Sequence, residues 1–577
     1  MLRQELSGEI VEGLQERYQF TWPDKKKAML AANAPINKTL RPCREESVDF
    51  DNTENLYIEG DNLEVLKLLQ ETYLGKIKMI YIDPPYNTGK DFLYKDNFKD
   101  NVKDYMHHTS FYDEMGNVIE QNTSSDGRFH TNWLNLIYPR IKISRDILSE
   151  DGYFFMSIDE KEYSNAKKIC DEIFGESNYL GDLIWEATTQ PSNTGSAKFG
   201  LQIKTESILL YVKDKGNFKG FTLNMKDSSL SYPHNGKFGR CRFEIIEKSD
   251  AGIDSRPTMK FKILGLYPRE GKRWQIGEET ARALEAGGRV EVIDGIVKKA
   301  IYPEDEKERI QYNPFWSLVL ESAVGTAQKG KEELNSIFEN PIGFDTVKPI
   351  NLLKKIIFHS CCEGIILDFF SGSATTAHAV MKLNAEDGGK RKFIMVQLPE
   401  ECDEKSEAYK AGYKNICEIG KERIRRAGKK IKDESPLTTQ DLDIGFRVLK
   451  LDSSNMEDVY YTPKEYMDKA IDLFADNVKA DRSAEDLLFQ VMLDLGTPLS
   501  SKIEKRIISG KTVYDVAEGH LIACFDTDVT DEVVTEIAKE QPSYFVMRDS
   551  SLADDSVAIN FEQIFATYSP NTERRIL

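Results

Sequence analysis

The chain has 577 residues, with 77 Lys and Arg, 96 Asp and Glu, and a formal net charge of -19 at pH 7. This length exceeds that of a single domain, and 40% hydrophobic residues exclude wholesale disorder. No apolar run approaches the roughly 20 residues of a membrane span, so we expect a cytoplasmic protein with no membrane partner.

Charge is distributed unevenly along the chain, which decides where nucleic acid can bind. Residues 435–577 contain 14 Lys and Arg against 27 Asp and Glu, a net charge of -13. Residues 214–330 contain 20 against 17, a net charge of +3. Because phosphate contacts need Lys and Arg, a DNA-binding surface is compatible with the middle of the chain rather than with its C-terminal part.

The first part of the chain is predicted to combine helices and strands. Residues 1–45 indicate a polar N-terminal arm. The sequence LYIEGDNLEVLKLLQETYLGKIKMIYIDPPYN then predicts a strand, a helix and a buried strand over 77–82, and further strands are predicted over 152–159 and 207–215. Strands that alternate with helices indicate an α/β unit with a parallel sheet over 46–214.

The sequence changes character twice more. Residues 215–341 contain many Gly and short alternating stretches, which are typical of a smaller mixed or β-rich domain inserted into the α/β unit. The α/β pattern returns over 342–434, where GIILDFFSGSATTAHAVMKLN predicts a strand, a loop and a helix. After a predicted linker over 435–440, the acidic residues to 577 are expected to form a separate α/β domain.

The strand over 79–83 ends in the tetrapeptide Asp83-Pro84-Pro85-Tyr86. In a doubly wound sheet, ligands bind beyond the carboxyl ends of the strands. Two consecutive prolines fix φ and leave carbonyls free to accept, so a carboxylate, a carbonyl and an aromatic ring converge. This set suits a planar heterocycle with an exocyclic amine. The alternative is a proline turn with a solvated Asp.

A second motif is the strand, small-residue loop and helix start GIILDFFSGSATT over 364–376. Small residues let the backbone approach a ligand, and a helix N-terminus offers N–H donors. The motif lacks both the G-x-G-x-x-G spacing and a Walker lysine. Alone, it is equally consistent with an ordinary β–α turn.

Together, D-x-F-x-G-x-A and DPPY 285 residues earlier (368 minus 83) resemble amino-methyltransferases that use S-adenosylmethionine, in the permuted order with the catalytic motif first. The resemblance extends to the methylation (Mod) subunits of type III restriction-modification systems. It is carried by the blocks NLYIEGDNLEVLKLLQ, IKMIYIDPPYNTGKDFLYKDNF, HTNWLNLIYPRIKISRDILSEDGYFFMSID, DFFSGSATTAHAVMKLN, RKFIMVQLPE and NICEIGKERIRRAGKK.

The resemblance implies a Rossmann-like methyltransferase sheet with a target-recognition domain inserted over 215–341. The residues implied to hold and activate the target amine are Asp83, Pro84, Pro85 and Tyr86. Those implied to bind S-adenosylmethionine are Asp61, Lys348, Pro349, Asp368, Phe369, Phe370, Gly372, Thr375 and, for the ribose, Gln397 in preference to Glu400. Ala374 stands where many relatives have a second Gly.

The implied reaction is methyl transfer to adenine N6 of a base flipped out of duplex DNA. The same pocket could accept a cytosine N4 amine, which is one alternative. A non-catalytic DNA-binding specificity subunit is another, although intact catalytic and cofactor motifs argue against it. A third is an RNA or protein amine methyltransferase, but the large insertion between the two halves favours DNA.

The inserted region offers basic side chains for phosphate and base-edge contacts, namely Arg240, Arg242, Arg256, Lys260, Arg273 and Arg289. The resemblance also implies a homodimer that recruits a separate ATP-dependent restriction (Res) subunit. The acidic C-terminal domain is the predicted contact, so removal of 435–577 is expected to leave cofactor binding intact.

The remaining candidate residues have two interpretations each. His107, His108 and His130 lack metal-ligand spacing, so no metal is expected. Phe92 and Tyr94 are as consistent with core packing as with a cover over the pocket. The basic run over 421–432 predicts either a solvated helix face or a phosphate contact.

Overall fold

A computed structural model describes residues 19–88, 129–191, 198–225, 232–250, 256–306, 312–338, 341–344, 346–457, 477–551 and 555–577. The chain divides into two compact units. The larger unit comprises Met1–Thr222 and Trp316–Leu577, and the smaller one comprises Leu223–Phe315. The smaller unit therefore begins and ends inside the range predicted for the insertion, 215–341.

The strands, in chain order, are β1 Lys38–Val48, β2 Leu56–Glu59, β3 Ile77–Ile82, β4 Leu148–Ile158, β5 Tyr179–Glu186, β6 Thr205–Val212, β7 Asn224–Met225, β8 His234–Gly236, β9 Gly239–Ile245, β10 Glu247–Ser249, β11 Lys272–Trp274, β12 Val290–Ile293, β13 Ile296–Ile301, β14 Tyr312–Asn313, β15 Leu318–Val319, β16 Glu363–Asp368, β17 Lys390–Gln397, β18 Phe446–Ser453, β19 Ile503–Ile508, β20 Lys511–Val516, β21 Leu521–Cys524, β22 Tyr544–Met547 and β23 Glu573–Ile576.

The α-helices are α1 Lys25–Asn33, α2 Asn62–Thr72, α3 Phe129–Ile147, α4 Tyr163–Phe174, α5 Glu278–Ala286, α6 Pro303–Glu306, α7 Glu321–Val324, α8 Ala327–Phe338, α9 Ile350–Ser360, α10 Thr375–Asp387, α11 Glu407–Lys410, α12 Ile416–Glu434, α13 Ala484–Asp494, α14 Asp531–Lys539 and α15 Asp555–Tyr568. Within the described ranges, no helix combines the length and apolar character needed to cross a membrane.

A ten-stranded mixed sheet organises the larger unit, in the order β1-β18-β2-β17-β16-β3-β4-β6-β5-β15. The six strands from β18 to β4 run parallel. The side chains of β3 and β4 are almost wholly buried, as expected for a parallel sheet covered on both faces. This arrangement confirms the predicted α/β class.

Parallel pairing places the carboxyl ends of β2, β17, β16, β3 and β4 at one edge of the sheet. Strand β6 pairs antiparallel with β4, so its first residues reach the same edge. Strand β5 pairs antiparallel with β6, which sets Trp185 opposite Glu206. The antiparallel strand β6 and its neighbour β5, which runs in the same direction as β4, thus contribute side chains to the edge where α/β sheets bind ligands.

The C-terminal range departs from the expected separate domain. Strand β18 lies inside the main sheet, antiparallel to β1 and parallel to β2. The buried Arg447 guanidinium donates to the carbonyls of Phe50, Leu499 and Ser501, so it ties the main sheet to later residues. Leu487 of α13 belongs to the same hydrophobic core as Leu56 of β2. A second sheet, β19-β20-β21-β22-β23, follows.

The smaller unit has a four-stranded sheet, β12-β13-β9-β8, and two short two-stranded pairs. Its core includes Trp274, Ile263 and Val297. The Trp274 indole donates to the Phe261 carbonyl over 2.7 Å, so the ring's polar atom is satisfied inside that core. The predicted β-rich character of the insertion agrees with this fold.

Candidate active site

The tetrapeptide 83–86 follows β3 directly and is held from both sides. The Trp133 indole of α3 donates to the carbonyl of Pro85 over 2.7 Å. The next residue, Asn87, has a left-handed backbone with φ of 59°, and its side chain donates to Glu162 Oε1 over 2.6 Å. Because Asn adopts this conformation more readily than most residues, it suits the turn that ends the motif.

Four polar side chains meet at this edge. Lys348 Nζ lies 2.9 Å from Asp83 Oδ2, 2.8 Å from the Tyr86 hydroxyl and 3.2 Å from Glu206 Oε2. The Tyr86 hydroxyl donates to Asp83 Oδ1 over 2.8 Å and has a contact of 3.1 Å with Glu206 Oε2. We call these four residues the acid–lysine cluster.

Burial and charge set the protonation states in the acid–lysine cluster. Burial, together with the two neighbouring carboxylates, raises the pKa of the Tyr86 hydroxyl well above its usual value. Burial lowers the pKa of Lys348, but Asp83 and Glu206 outweigh that effect and the net pKa is raised. Tyr86 is therefore a neutral phenol and Lys348 an ammonium at neutral pH.

The second motif ends strand β16, which is the parallel neighbour of β3. Asp368 Oδ1 accepts the backbone N–H of Phe370 over 3.1 Å, and Oδ2 accepts the Thr376 hydroxyl over 2.5 Å. Burial raises the pKa of Asp368 to about 7, with a smaller contribution from the charge of Asp83. The carboxyl is thus poised to ionise when a cation approaches.

The loop between Asp368 and α10 has an unusual backbone. Gly372 has φ of 50° and open space where a Cβ would lie, and its N–H donates to Gln397 Oε1 over 2.7 Å. Ala374, which caps α10, has φ of 59°. A non-glycine residue in this region costs about 1 kcal/mol, and such strain is found where the surroundings fix a functional turn.

The buried Arg423 forms hydrogen bonds with the C-terminal end of the loop between Asp368 and α10. Arg423 Nη1 donates to Ser373 Oγ over 2.8 Å and to Thr375 Oγ1 over 2.6 Å. Burial lowers the pKa of its guanidinium to about 10. Nε and Nη2 of Arg423 are buried without a hydrogen-bond partner among the described residues. The loop therefore has a buried carboxyl at its start and a buried cation beneath its end.

Asp61 caps helix α2, since its side chain accepts the backbone N–H of Glu64 over 3.0 Å. It also pairs with the buried Arg140, whose Nη2 lies 2.8 Å from Asp61 Oδ2. Arg140 bonds in addition to Asn62, which donates to the carbonyl of Phe369 over 2.7 Å. These contacts connect the ends of β2 and β16.

Comparisons with known proteins give the family of the chain. The DNA methylase family model for N6 and N4 methyltransferases matches residues 77–425. The EcoP15I Mod subunit of Escherichia coli, a type III restriction-modification enzyme, is 33% identical in an alignment of 512 residues that covers 79% of this chain and 77% of that protein. The StyLTI Mod subunit of Salmonella typhimurium is 33% identical and covers 77% of this chain and 67% of its own.

The chain belongs to the type III restriction-modification Mod subunits. It is therefore a DNA methyltransferase. Among solved structures, the M1.HpyAVI complex with SAM is 16% identical with a TM-score of 0.29, and covers 64% of this chain and 98% of its own.

The Mod chain brings most of the sequence-predicted residues to one sheet edge, with differences in detail. Lys348, which was expected to bind the cofactor, has its ammonium in the acid–lysine cluster. The Thr375 hydroxyl accepts from Arg423, and it is Thr376 that bonds to Asp368. The Gln397 side chain bonds to the loop backbone at Gly372 and Leu398.

Four residues of this Mod site were missed from sequence, namely Glu206, Thr376, Arg423 and Arg140. One feature of the sequence could have indicated Glu206: it is a charged residue near the start of the largely apolar strand β6, whose sequence continues SILLYV. Arg423 lies in the basic run over 421–432, for which a solvated face or a phosphate contact was predicted. The structure instead buries Arg423 and also Lys421, which pairs with Glu46 and Glu59.

The basic residues proposed for DNA contact lie in the smaller unit and fall into two groups. Arg240 and Arg256 are exposed, and Arg242 is half-buried. The others are engaged within the unit: Lys260 pairs with Asp250, Arg273 is buried 3.5 Å from Asp250 Oδ1, and Arg289 lies 2.8 Å from Asp305 Oδ2.

Several other candidates are outside the described residues, namely Phe92, Tyr94, His107 and His108. His130 is described, and its Nδ1 lies 2.6 Å from Glu162 Oε1. Because Glu162 also accepts from Asn87 and Asn165, His130 belongs to the hydrogen-bond network behind the tetrapeptide.

Proposed function

We propose that this Mod subunit methylates adenine N6 in duplex DNA, with S-adenosylmethionine as the methyl donor. One observation carries the proposal: Asp83 and Tyr86 follow strand β3, and Asp368 ends the parallel neighbour β16 within reach of the charge of Asp83. An amine site and a cofactor loop on adjacent strands place the two reactants at the same edge of one sheet.

The residues of the loop fit the charges of S-adenosylmethionine. The cofactor has an ammonium, a carboxylate and a sulfonium, and when bound it supplies an electrophilic methyl group. Asp368 is a buried carboxyl with acceptor capacity beyond its two hydrogen bonds, so it would hold a cationic group. Arg423 adds a buried positive charge beneath the loop, which favours a carboxylate near the start of α10.

The remaining cofactor contacts follow from position at the same edge. Gly372 leaves open space at its Cβ position, so a ligand can approach the backbone there. Phe369, Phe370, Thr375 and Gln397 are proposed to line this space, with Asp61 and Pro349 at its borders.

Asp83 and the tetrapeptide backbone are proposed to hold the target amine. The Asp83 carboxylate and the Pro84 carbonyl each accept one N–H of the amine, and Tyr86 stacks on the base. Hydrogen bonds to both N–H groups draw the nitrogen lone pair out of conjugation with the ring, which makes the nitrogen a better nucleophile. Direct attack of the nitrogen on the methyl group would form the N–CH3 bond as the S–CH3 bond breaks, with a neutral thioether released and one amine proton lost to solvent, so no covalent enzyme intermediate is needed.

The base must leave the duplex to reach this site, because the N6 amine of a stacked adenine is inaccessible to side chains at a sheet edge. Flipping costs a few kcal/mol, which stacking on an aromatic ring and edge contacts offset. The smaller unit, which supplies the exposed Arg240 and Arg256, is proposed as the target-recognition domain. We further propose a homodimer that associates with a Res subunit, which would supply DNA cleavage.

Single-molecule sequencing of mixed genomic DNA treated with the purified protein and S-adenosylmethionine tests the proposal. N6-methyladenine on one strand of a short asymmetric site is the expected product, and Asp83→Asn should abolish it. The matched control is Asp159→Asn, which removes a carboxylate at the end of the neighbouring strand β4 whose side chain accepts the backbone N–H of Lys161. Methylcytosine instead, or no product, would contradict the proposal.

A further inference from the structure

The Lys348 ammonium makes the contacts that the amine of a target base would need. Nζ lies 3.0 and 2.9 Å from the two Asp83 oxygens and 5.0 Å from the centroid of the Tyr86 ring. A target amine held by Asp83 would need the same carboxylate oxygens that Lys348 contacts. The side chain is only 7% exposed, so the ammonium is fixed there by protein contacts rather than by solvent.

We propose that Lys348 is a placeholder for the target amine, and that Glu206 receives its ammonium when the base enters. This inference rests on the proposed function of Asp83. In the base-free protein, Lys348 neutralises the half-buried Asp83 carboxylate. When the flipped base arrives, Lys348 gives up its bonds to Asp83 and keeps its ion pair with Glu206. No covalent bond changes, and no proton needs to move.

The second carboxylate makes this exchange energetically possible. A buried ammonium that lost its only counter-ion would be strongly destabilised, because desolvation would no longer be offset. Glu206 Oε2 already lies 3.2 Å from Lys348 Nζ, so the ammonium passes between partners without returning to water. The Tyr86 hydroxyl contacts both carboxylates and can stay bonded to either as the charges shift.

The exchange also explains why the amine can be activated. An ammonium on Asp83 occupies its lone pairs and withdraws electron density, which weakens the carboxylate as an acceptor for a neutral amine. Moving Lys348 to Glu206 restores that acceptor. Glu206 is thus a positioning residue, since it acts on the base through Lys348.

The fold fixes Glu206 for this role. The antiparallel strand β6 begins at the carboxyl edge, and Glu206 is paired across the sheet with the buried Trp185. The Trp185 ring centroid lies 5.8 Å from Lys348 Nζ, and its indole donates to the Gly325 carbonyl over 2.9 Å. The Trp185 ring, which is fixed by its own hydrogen bond, therefore packs near the Lys348 ammonium beside Glu206.

A double-mutant cycle tests the inference on duplex DNA in which the target adenine of the site found by sequencing is retained and 2-aminopurine replaces the base beside it, where its fluorescence rises when the adenine leaves the stack. Fluorescence reports base flipping, and calorimetric binding of S-adenosylhomocysteine reports the cofactor site. Glu206→Gln should reduce flipping at least tenfold and leave cofactor affinity within twofold. In Lys348→Met/Glu206→Gln, flipping should return to within threefold of Lys348→Met alone, because without the lysine Glu206 is not needed.

Two further variants keep the test decisive. Glu186 lies at the same sheet edge and pairs with Lys204 rather than with Lys348. The Glu186→Gln variant removes this carboxylate and should flip the base as well as wild type does. If Lys348→Met is not folded, Lys348→Arg replaces it: a guanidinium that holds both carboxylates should reduce flipping more than Glu206→Gln does.

If Lys348→Met/Glu206→Gln flips the base no better than Glu206→Gln does, the proposed exchange is wrong. It is also wrong if Glu206→Gln flips the base as well as wild type does. If wild type methylates adenine and Asp83→Asn does not, such a result rejects the exchange alone. If wild type does not methylate adenine, the proposed function fails and the inference fails with it.

Discussion

Lys348 Nζ lies 2.9 Å from Asp83 Oδ2, although 265 positions separate the two residues. Lys348 precedes α9, which leads into β16, and Asp83 follows β3, which is the parallel neighbour of β16. The distance along the chain is bridged by strand pairing. The tetrapeptide 83–86 and the segment that leads into β16 therefore meet within the larger unit, even though the smaller unit lies between them in sequence.

Tyr86 is predicted to contribute through its ring more than through its hydroxyl. Tyr86→Phe loses the hydroxyl contacts with Asp83 and Glu206, and should lower the single-turnover methylation rate about tenfold, the effect of one hydrogen bond. Tyr86→Ala also loses stacking on the base and should lower it roughly a further tenfold or more. Equal losses in the two variants would argue against stacking.

Asp368 is predicted to make cofactor binding depend on pH. Its pKa of about 7 in the free protein means that the carboxyl is protonated below neutrality. A cationic ligand favours the ionised form, so S-adenosylmethionine affinity should fall about tenfold for each pH unit below 7. Calorimetric titration between pH 5.5 and 8.5 measures this slope.

The control for the pH dependence of S-adenosylmethionine affinity is Asp368→Asn. In this variant, any remaining pH dependence comes from groups other than Asp368, including those of the cofactor itself. The variant should bind more weakly at pH 8 and lack the additional slope, and an unchanged slope would exclude Asp368 as the titrating group.

The raised pKa of Asp368 also affects the free energy of unfolding. The stability that protonated Asp368 provides is fully present below the unfolded pKa of about 3.8 and is lost as pH rises through about 7.

Two arginines of the smaller unit are predicted to have opposite phenotypes. Arg240 is exposed on β9, so Arg240→Ala should weaken DNA binding and reduce the salt dependence by about one charge, with the melting temperature unchanged. Arg273 is buried beside Asp250, so Arg273→Ala should instead destabilise the unit by about 3 kcal/mol. Salt titrations of DNA binding and thermal melts by circular dichroism separate the two effects, and the reverse pattern would contradict both assignments.

Removal of residues 435–577 is predicted to abolish cofactor binding. The truncation deletes β18 from between β1 and β2, and it removes the buried side chains of Val448 and Leu449 from the sheet core. This prediction differs from the expectation drawn from sequence, which treated the range as separable. Binding of S-adenosylhomocysteine to the purified truncated protein is the measurement. A folded truncated protein with wild-type affinity would show that the main sheet does not need β18.

The sequence by itself determined the parts of the site that depend on local signals. Apolar runs predicted β3 and β16, and two prolines and a row of small residues marked the turns that follow them. Asp83, Tyr86 and Asp368 could be placed at strand ends for this reason, because the end of a strand is a local property. The α/β class followed from the alternation of such elements.

Tertiary structure alone decided which distant side chains complete the site. Glu206 reaches Lys348 because β6 runs antiparallel to its neighbour, and strand direction depends on pairing rather than on the residues of β6. Arg423 bonds to Ser373 and Thr375 because α12 presents position 423 to the protein interior, within a run whose composition is typical of a solvated face. Strand β18 joins the main sheet because its apolar residues complete a core that also contains Phe50 and Leu56, from much earlier in the chain. Charge composition carries no information about such contacts, since burial and pairing are set by the whole fold.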